Sequence, residues 1–239
     1  MPFLIVKTGM TSLPPPESFL GGEELSVYNR FKIEKRRRDW LAGRWAAKTA
    51  LAAQRCPGAD LRGLLISSDS EGRPLALFLG KPVTCPISIT HSNGVALCAA
   101  GRGTTAALGI DLEKSETRSV GWAEFSFHKD ELKSHAPEFL TALWTLKEAV
   151  LKAAGTGLKA VLNDIRFAAA DNIARNLPEL PQTPAGPDYS RFLELAAVVA
   201  PPVVTGNLAQ REEIARLVAS LSYRTARTAD GFVVSAAWR

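Results

Sequence analysis

The sequence predicts an α+β protein of two similar halves that meet near residues 100–106, each half an antiparallel sheet with one long helix. Three observations lead there. Two stretches, 34–54 and one within 128–155, carry apolar residues at three- to four-residue steps. Around each lie short β-branched or apolar runs joined by turn residues at hairpin spacing. The chain has 239 residues, 46% of them hydrophobic, enough for one large domain or two small ones.

The elements follow in order. FLIVKT reads as an opening strand, and SLPPPES as a loop, because three prolines supply no amide donors. EKRRRDWLAGRWAAKTALAAQ is a helix whose apolar residues include Trp40, Leu41, Trp45 and Leu51, stopped by CPG. LLISSDSEGRPLALFLG reads as two strands about a turn at 70–74, and PISITHSNGVALCAAG as a hairpin turning at SNG. GTTAALGIDLEKSE is a strand that turns abruptly charged. HKDELKSHAPEFLTALWTLKEAVLKAAG holds a long helix ended by Gly155. AVLNDIRFAA reads as strand or turn, NLPELPQTPAGPDYS as a proline-rich loop and FLELAAVVAPPVV as a strand-like run. LSYRTARTADGFVVSAAW closes as an Asp-Gly hairpin.

Composition narrows the function classes. Charged residues are 22% of the chain, which is not the profile of a disordered tail. A net charge of +5 favours an anionic partner without choosing among nucleotide, nucleic acid and acidic protein. Cys56, Cys85 and Cys98 lack CxxC spacing, so neither a disulfide framework nor a structural zinc site is expected. With no secretory leader pattern and no apolar run long enough for a membrane span, a reducing cytoplasm is the expected compartment. KDEL at 129–132 is internal and is no retention address.

Two motifs carry chemistry. In an extended GIDLEK, Asp111 and Glu113 project from one face, and two like charges that close call for a cation or for solvent. Oxygen-only ligands suit Mg²⁺, although charged residues at a strand end are also ordinary. In LWTLKEAVLKAAGTGL, Lys147, Glu148 and Lys152 interrupt an apolar helix surface. Glu148 and Lys152 one turn apart read either as a surface pair or, taken with Asp111 and Glu113, as part of a metal–pyrophosphate site. His91 in ITHS is placed to donate to a phosphate oxygen or to serve a structural role. His128 and His135 fit no common zinc spacing, and AAGTGLKA lacks the ending of a P-loop. The KRRR run at 35–38 reads as a solvated helix face or as a steering patch for phosphate or an acidic partner.

Across residues 36–158 these pieces, in this order, resemble the Sfp-type 4′-phosphopantetheinyl transferases. They are AGR with Arg44, EGRP with Arg73, ISITHS with Thr90 and His91, GIDLEK with Asp111 and Glu113, EFSFHKDEL, and WTLKEAVLKAAGTGL with Lys147, Glu148 and Lys152. The resemblance implies a pseudo-twofold pair of α/β halves: 1–104 with the nucleotide-side contacts, 105–239 with the metal and catalytic residues, and the active site at their interface. It implies Mg²⁺-dependent transfer of the phosphopantetheine arm of coenzyme A to a serine of an acyl or peptidyl carrier protein, releasing adenosine 3′,5′-bisphosphate. Asp111, Glu113 and Glu148 would bind the metal. Glu148 would also deprotonate the serine, and Lys152 would neutralise or protonate the leaving phosphate. Arg44, Arg73 and His91 would meet the nucleotide's phosphates, with Thr90 and Lys147 nearby. Thr90 stands where the family often has serine, and Arg73 where lysine is also common. The carrier is expected to be acidic and to dock near HKDELKSHAPEF; neither nucleic acid nor membrane is an expected partner, and a monomer is expected.

Two rivals remain open at this point. A Mg²⁺-dependent nuclease also combines acids with a lysine, but its last acid and lysine usually stand two apart, whereas Glu148 and Lys152 are four apart. A non-catalytic coenzyme A- or carrier-binding protein would not need the candidate base.

Overall fold

The computed structural model describes residues 2–156, 162–168, 170–175, 177–180 and 195–239. They group into two compact units, one ending at Ala106 and the other starting at Ala107.

In the first unit, β1 (Phe3–Gly9), β6 (Val95–Gly101) and β5 (Ile87–Ser92) form an antiparallel sheet in that order, with Phe3 opposite Gly101 and Ile87 opposite Ala100. The β5–β6 turn places Asn93 at φ 43° and Gly94 at φ 83°, the double left-handed pair that matches the sheet's twist. Helix α2 (Glu34–Arg55) lies on this sheet through Ala46, Ala47, Ala50 and Leu51, against Leu4, Val6, Ile87, Cys98 and Ala100. Small side chains let it approach closely; a Cβ on Gly43 would stand 3.1 Å from Ile89 Cγ2. Helix α1 (Gly22–Arg30) precedes it, in a stretch whose sequence suggested no element. Beside them β2 (Leu64–Ser68), β3 (Pro74–Phe78) and β4 (Lys81–Pro82) make a second antiparallel sheet.

In the second unit the order is β10 (Ala197–Val199), β12 (Ser222–Thr228), β13 (Phe232–Trp238) and β7 (Leu108–Lys114), all antiparallel. β9 (Glu179–Leu180) joins β12 in parallel, the one departure from the expected antiparallel pairing among the described strands. The helix α4 (Pro137–Ala154) covers this sheet with Leu143, Leu146, Val150 and neighbours, in one core with Val233, Ala237 and Tyr223. Pro137 sits in its first turn, where its missing amide costs nothing, and Gly155 ends it at φ 64°.

Three sequence expectations change. FLELAAVVAPPVV, whose first three residues lie outside the described ones, is not one strand: β10 and β11 (Val203–Val204, paired with β8, Ile165–Arg166) are separated by Pro201 and Pro202, which cannot donate to a ladder. Short helices over Val120–Ser126 (α3), Gly206–Ala209 and Glu212–Ser220 arise where none was predicted. β9 lies inside the stretch predicted as a proline-rich loop, of which 176 and 181–190 fall outside the described residues. Both units nevertheless realise the α+β pattern of an antiparallel sheet under one long helix. No helix among the described residues is long and apolar enough to cross a membrane.

Candidate active site

The chemistry-bearing residues of the second unit meet because a glycine lets α4 touch β7. A Cβ on Gly109 would stand 1.9 Å from the Ala149 carbonyl oxygen and 2.6 Å from the Ala153 amide nitrogen. Any side chain there would lift the helix off the strand. Strand alternation then puts Asp111 and Glu113 on the same helix-facing side as Gly109. The register sets Asp111 opposite Ser235 and Glu113 opposite Val233. One turn beyond Glu148, Lys152 reaches down to β7: its Nζ lies 2.6 Å from Asp111 Oδ1 and 3.2 Å from the Ile110 carbonyl oxygen. Glu113 lines a small cavity of about 120 Å³ with Arg118, Trp122, Thr141 and Trp144. Thr141, Trp144 and Glu148 follow one another along α4 at three- and four-residue steps, so they share a stripe of the helix.

The electrostatics show that the acids sense one another. Burial pushes the Glu148 carboxyl above its ordinary range; the Asp111 charge pushes it further, the Lys152 ammonium opposes this, and Glu113 adds a smaller upward push. Ionised, the four groups Asp111, Glu113, Glu148 and Lys152 carry three negative charges and one positive. That oxygen-only, net negative set suits a hard divalent cation that keeps other oxygen ligands. The expected three-carboxylate metal site is not preformed, however. No cluster of three histidine, cysteine, aspartate or glutamate side chains able to hold a metal ion exists among the described residues.

Lys147 requires a second correction. It was expected near the nucleotide's phosphates, but its side chain is 0% exposed, as is that of its partner Glu131. Lys147 Nζ donates to Glu131 Oε2 at 2.8 Å and stands 5.1 Å from the Phe127 ring centre. Glu131 Oε1 accepts from the Phe167 amide, and Oε2 from the His128 amide. Burial lowers the Lys147 pKa while Glu131 counteracts it. A lysine so enclosed cannot face a ligand. Glu131 and Phe139 are buried as well, so within the expected docking segment 128–139 those two point inward. Glu131 was visible in EFSFHKDEL only as an acid following an F-S pair; no signal in the chain marked it as the partner of Lys147.

The first unit supplies the other candidates. Arg44 is 15% exposed, its guanidinium 4.5 Å from the Trp40 ring centre and its Nε 3.8 Å from Glu24 Oε1. Glu24 is already engaged with Lys48, which also donates to the Phe19 and Leu61 carbonyls, so the Glu24–Lys48 pair is neutral and Arg44 keeps a net positive charge. Burial lowers the pKa of Arg44, against the pull of Glu24. Arg73 sits on the β2–β3 turn in an exposed pair with Asp69, 3.2 Å away. His91 is half-exposed on the α2 side of β5. Thr90 was expected beside it, but consecutive strand residues face opposite ways, and Thr90 is buried on the other side of the sheet. Glu24, Asp39 and Trp40, which surround these groups, were not singled out as functional in the sequence.

The sequence profile of the 4′-phosphopantetheinyl transferase superfamily matches residues 107–199, starting where the second unit starts. The chain is 33% identical over 85 residues to a holo-[acyl-carrier-protein] synthase of Staphylococcus carnosus, a match covering 34% of this chain and 71% of that protein. It is 30% identical over 158 residues to the 4′-phosphopantetheinyl transferase HetI of Nostoc sp., covering 62% of this chain and 65% of HetI. It is 27% identical over 172 residues to the 4′-phosphopantetheinyl transferase ffp of Bacillus subtilis, covering 68% and 73%. The chain belongs to the 4′-phosphopantetheinyl transferase superfamily. Its match spans just under two thirds of the length of HetI.

Proposed function

We propose that this protein transfers the 4′-phosphopantetheine arm of coenzyme A to a serine of an acidic acyl or peptidyl carrier protein, releasing adenosine 3′,5′-bisphosphate. The observation that carries this reading is Glu148. Its carboxyl is held above the ordinary range by burial and by Asp111, one turn from a lysine that reaches the same aspartate. A carboxylate raised toward neutrality is a better proton acceptor at working pH than an ordinary one. In the reaction the serine hydroxyl attacks the phosphorus that bears the pantetheine arm, and the phosphoanhydride bond breaks. Glu148 takes the hydroxyl proton, directly or through water. Lys152 neutralises the charge that develops on the departing phosphate. Arg44, Arg73 and His91 meet the nucleotide's phosphates, so most of the catalysis is positioning and charge neutralisation.

Asp111, Glu113 and Glu148 would hold Mg²⁺ together with phosphate oxygens. The ion would supply further neutralisation of the diphosphate. Incubation with coenzyme A, Mg²⁺ and a panel of unmodified carriers, followed by intact-mass measurement, tests the reading. The expected result is a carrier heavier by one phosphopantetheine arm, and no gain when a chelator is present. Carriers that remain unmodified across fatty acid, polyketide and peptide types would refute the activity. Transfer that survives complete metal removal would refute the metal requirement alone.

A further inference from the structure

Asp39 is a carboxylate buried on the face of α2 that packs against β5, with a side chain only 9% exposed. Its Oδ2 lies 2.8 Å from Lys35 Nζ and 3.9 Å from His91 Nδ1. The same helix face sets Gly43 over Ile89, two residues before His91 and therefore on the same side of the strand. Thus α2 and β5 run past each other with Asp39 over the histidine. Among the described elements that pack most closely on β5, the other two offer His91 no charged group at its position. β6 presents Ala96 directly opposite, and β3 (Pro74–Phe78) contains no titratable residue. Lys35, one turn before Asp39, is largely exposed and is the second group in reach.

We propose that Asp39 is a positioning residue for His91: its carboxylate backs the Nδ1 side of the imidazole from α2, 3.9 Å away, and leaves Nε2 to meet a phosphate oxygen of coenzyme A. The inference rests on the transferase reading for its ligand and adds a residue to it. At 3.9 Å the carboxylate is beyond hydrogen-bond length but close enough to bias how the ring sits when its outer nitrogen engages an anion. Lys35 offsets part of the Asp39 charge from solvent, where screening weakens it.

Calorimetric titration with coenzyme A separates this inference from its foundation. Asp39→Asn should weaken coenzyme A binding about tenfold, the scale of a lost orienting partner, and raise its KM by a similar factor. Turnover at saturating coenzyme A should move by less than about twofold, because Asp39 does not touch the reacting phosphorus. Asp39→Glu should recover most of the loss, and His91→Ala should reproduce it. In the double variant Asp39→Asn/His91→Ala the two losses should not add, since both remove one interaction. Additive losses, or an Asp39→Asn protein that binds coenzyme A like the original, would overturn the positioning role while leaving the transferase reading intact. A wild-type protein that binds no coenzyme A would overturn both.

Discussion

Lys147 and Lys152 stand five residues apart on α4, and each meets a carboxylate, yet the two pairs are physically different objects. Lys147 and Glu131 are wholly enclosed; the carboxylate accepts from the ammonium and from two backbone amides, and an aromatic ring covers the nitrogen. Nothing is left over for a substrate. Lys152 is 29% exposed and shares Asp111 with the charges of Glu148 and Glu113. Here one carboxyl is pushed upward by burial and by its acidic neighbours, and the lysine head still reaches solvent. The lesson is that capacity, and not proximity of opposite charges, separates a structural pair from a working one. A closed pair has spent its donors and acceptors on the fold, whereas an open one keeps charge that a diphosphate or a cation can engage.

The sharpest way to break that contrast is to remove each lysine in turn. Lys147→Met leaves Glu131 charged and buried without its counterion, which typically costs about 3–5 kcal/mol. Urea unfolding should show a loss of that size, while specific turnover of the protein that remains folded stays within a few-fold of the original. Lys152→Met should cost about 1 kcal/mol or less, because its pair is partly solvated, but should lower turnover by at least about tenfold, as expected of a group that helps a developing charge. If the stability loss is large for Lys152 and small for Lys147, the division into structural and working pairs is wrong.

The same division marks what could be read from the sequence. The long helices, the hairpins and the Asp111/Glu113 face were legible because they depend on periodicity and local turn chemistry: Asn93-Gly94, Gly155 and the Asp-Gly corner each act within a few residues. Lys147 was misplaced because its neighbour Glu148 faces the acids, and a motif read as a unit does not reveal that adjacent helical side chains point about 100° apart. Its partner Glu131 lies 16 residues away in a segment with no periodic pattern. Thr90 was misplaced for the analogous reason on a strand. Nothing local in GIDLEK marks Gly109 as necessary; the need arises from the Ala149 carbonyl pressed against it. Residues whose meaning depends on which way they face, or on a distant partner, are the ones a linear reading loses.

Glu148 gives the finest test, because one substitution should act on stability and activity in opposite directions. Its carboxyl is raised in the folded protein by burial first, then by Asp111 and Glu113. A group raised on folding binds its proton more tightly in the native state than in the unfolded chain. Its contribution is therefore full below the ordinary carboxylate range and is lost as pH rises through the folded value. At neutral pH the ionised side chain works against the fold. Glu148→Gln removes that repulsion, so near pH 7 the midpoint of thermal unfolding should rise by about 1–3 °C, and the gain should shrink to nothing as the acid form is populated near pH 4. Turnover should meanwhile fall by about 10²-fold to 10⁴-fold, the usual worth of a positioned proton acceptor. Loss of turnover without any gain in stability at pH 7 would mean that a cation or other charge already relieves the acids in the resting protein; a gain in stability with full turnover would remove Glu148 from the chemistry altogether.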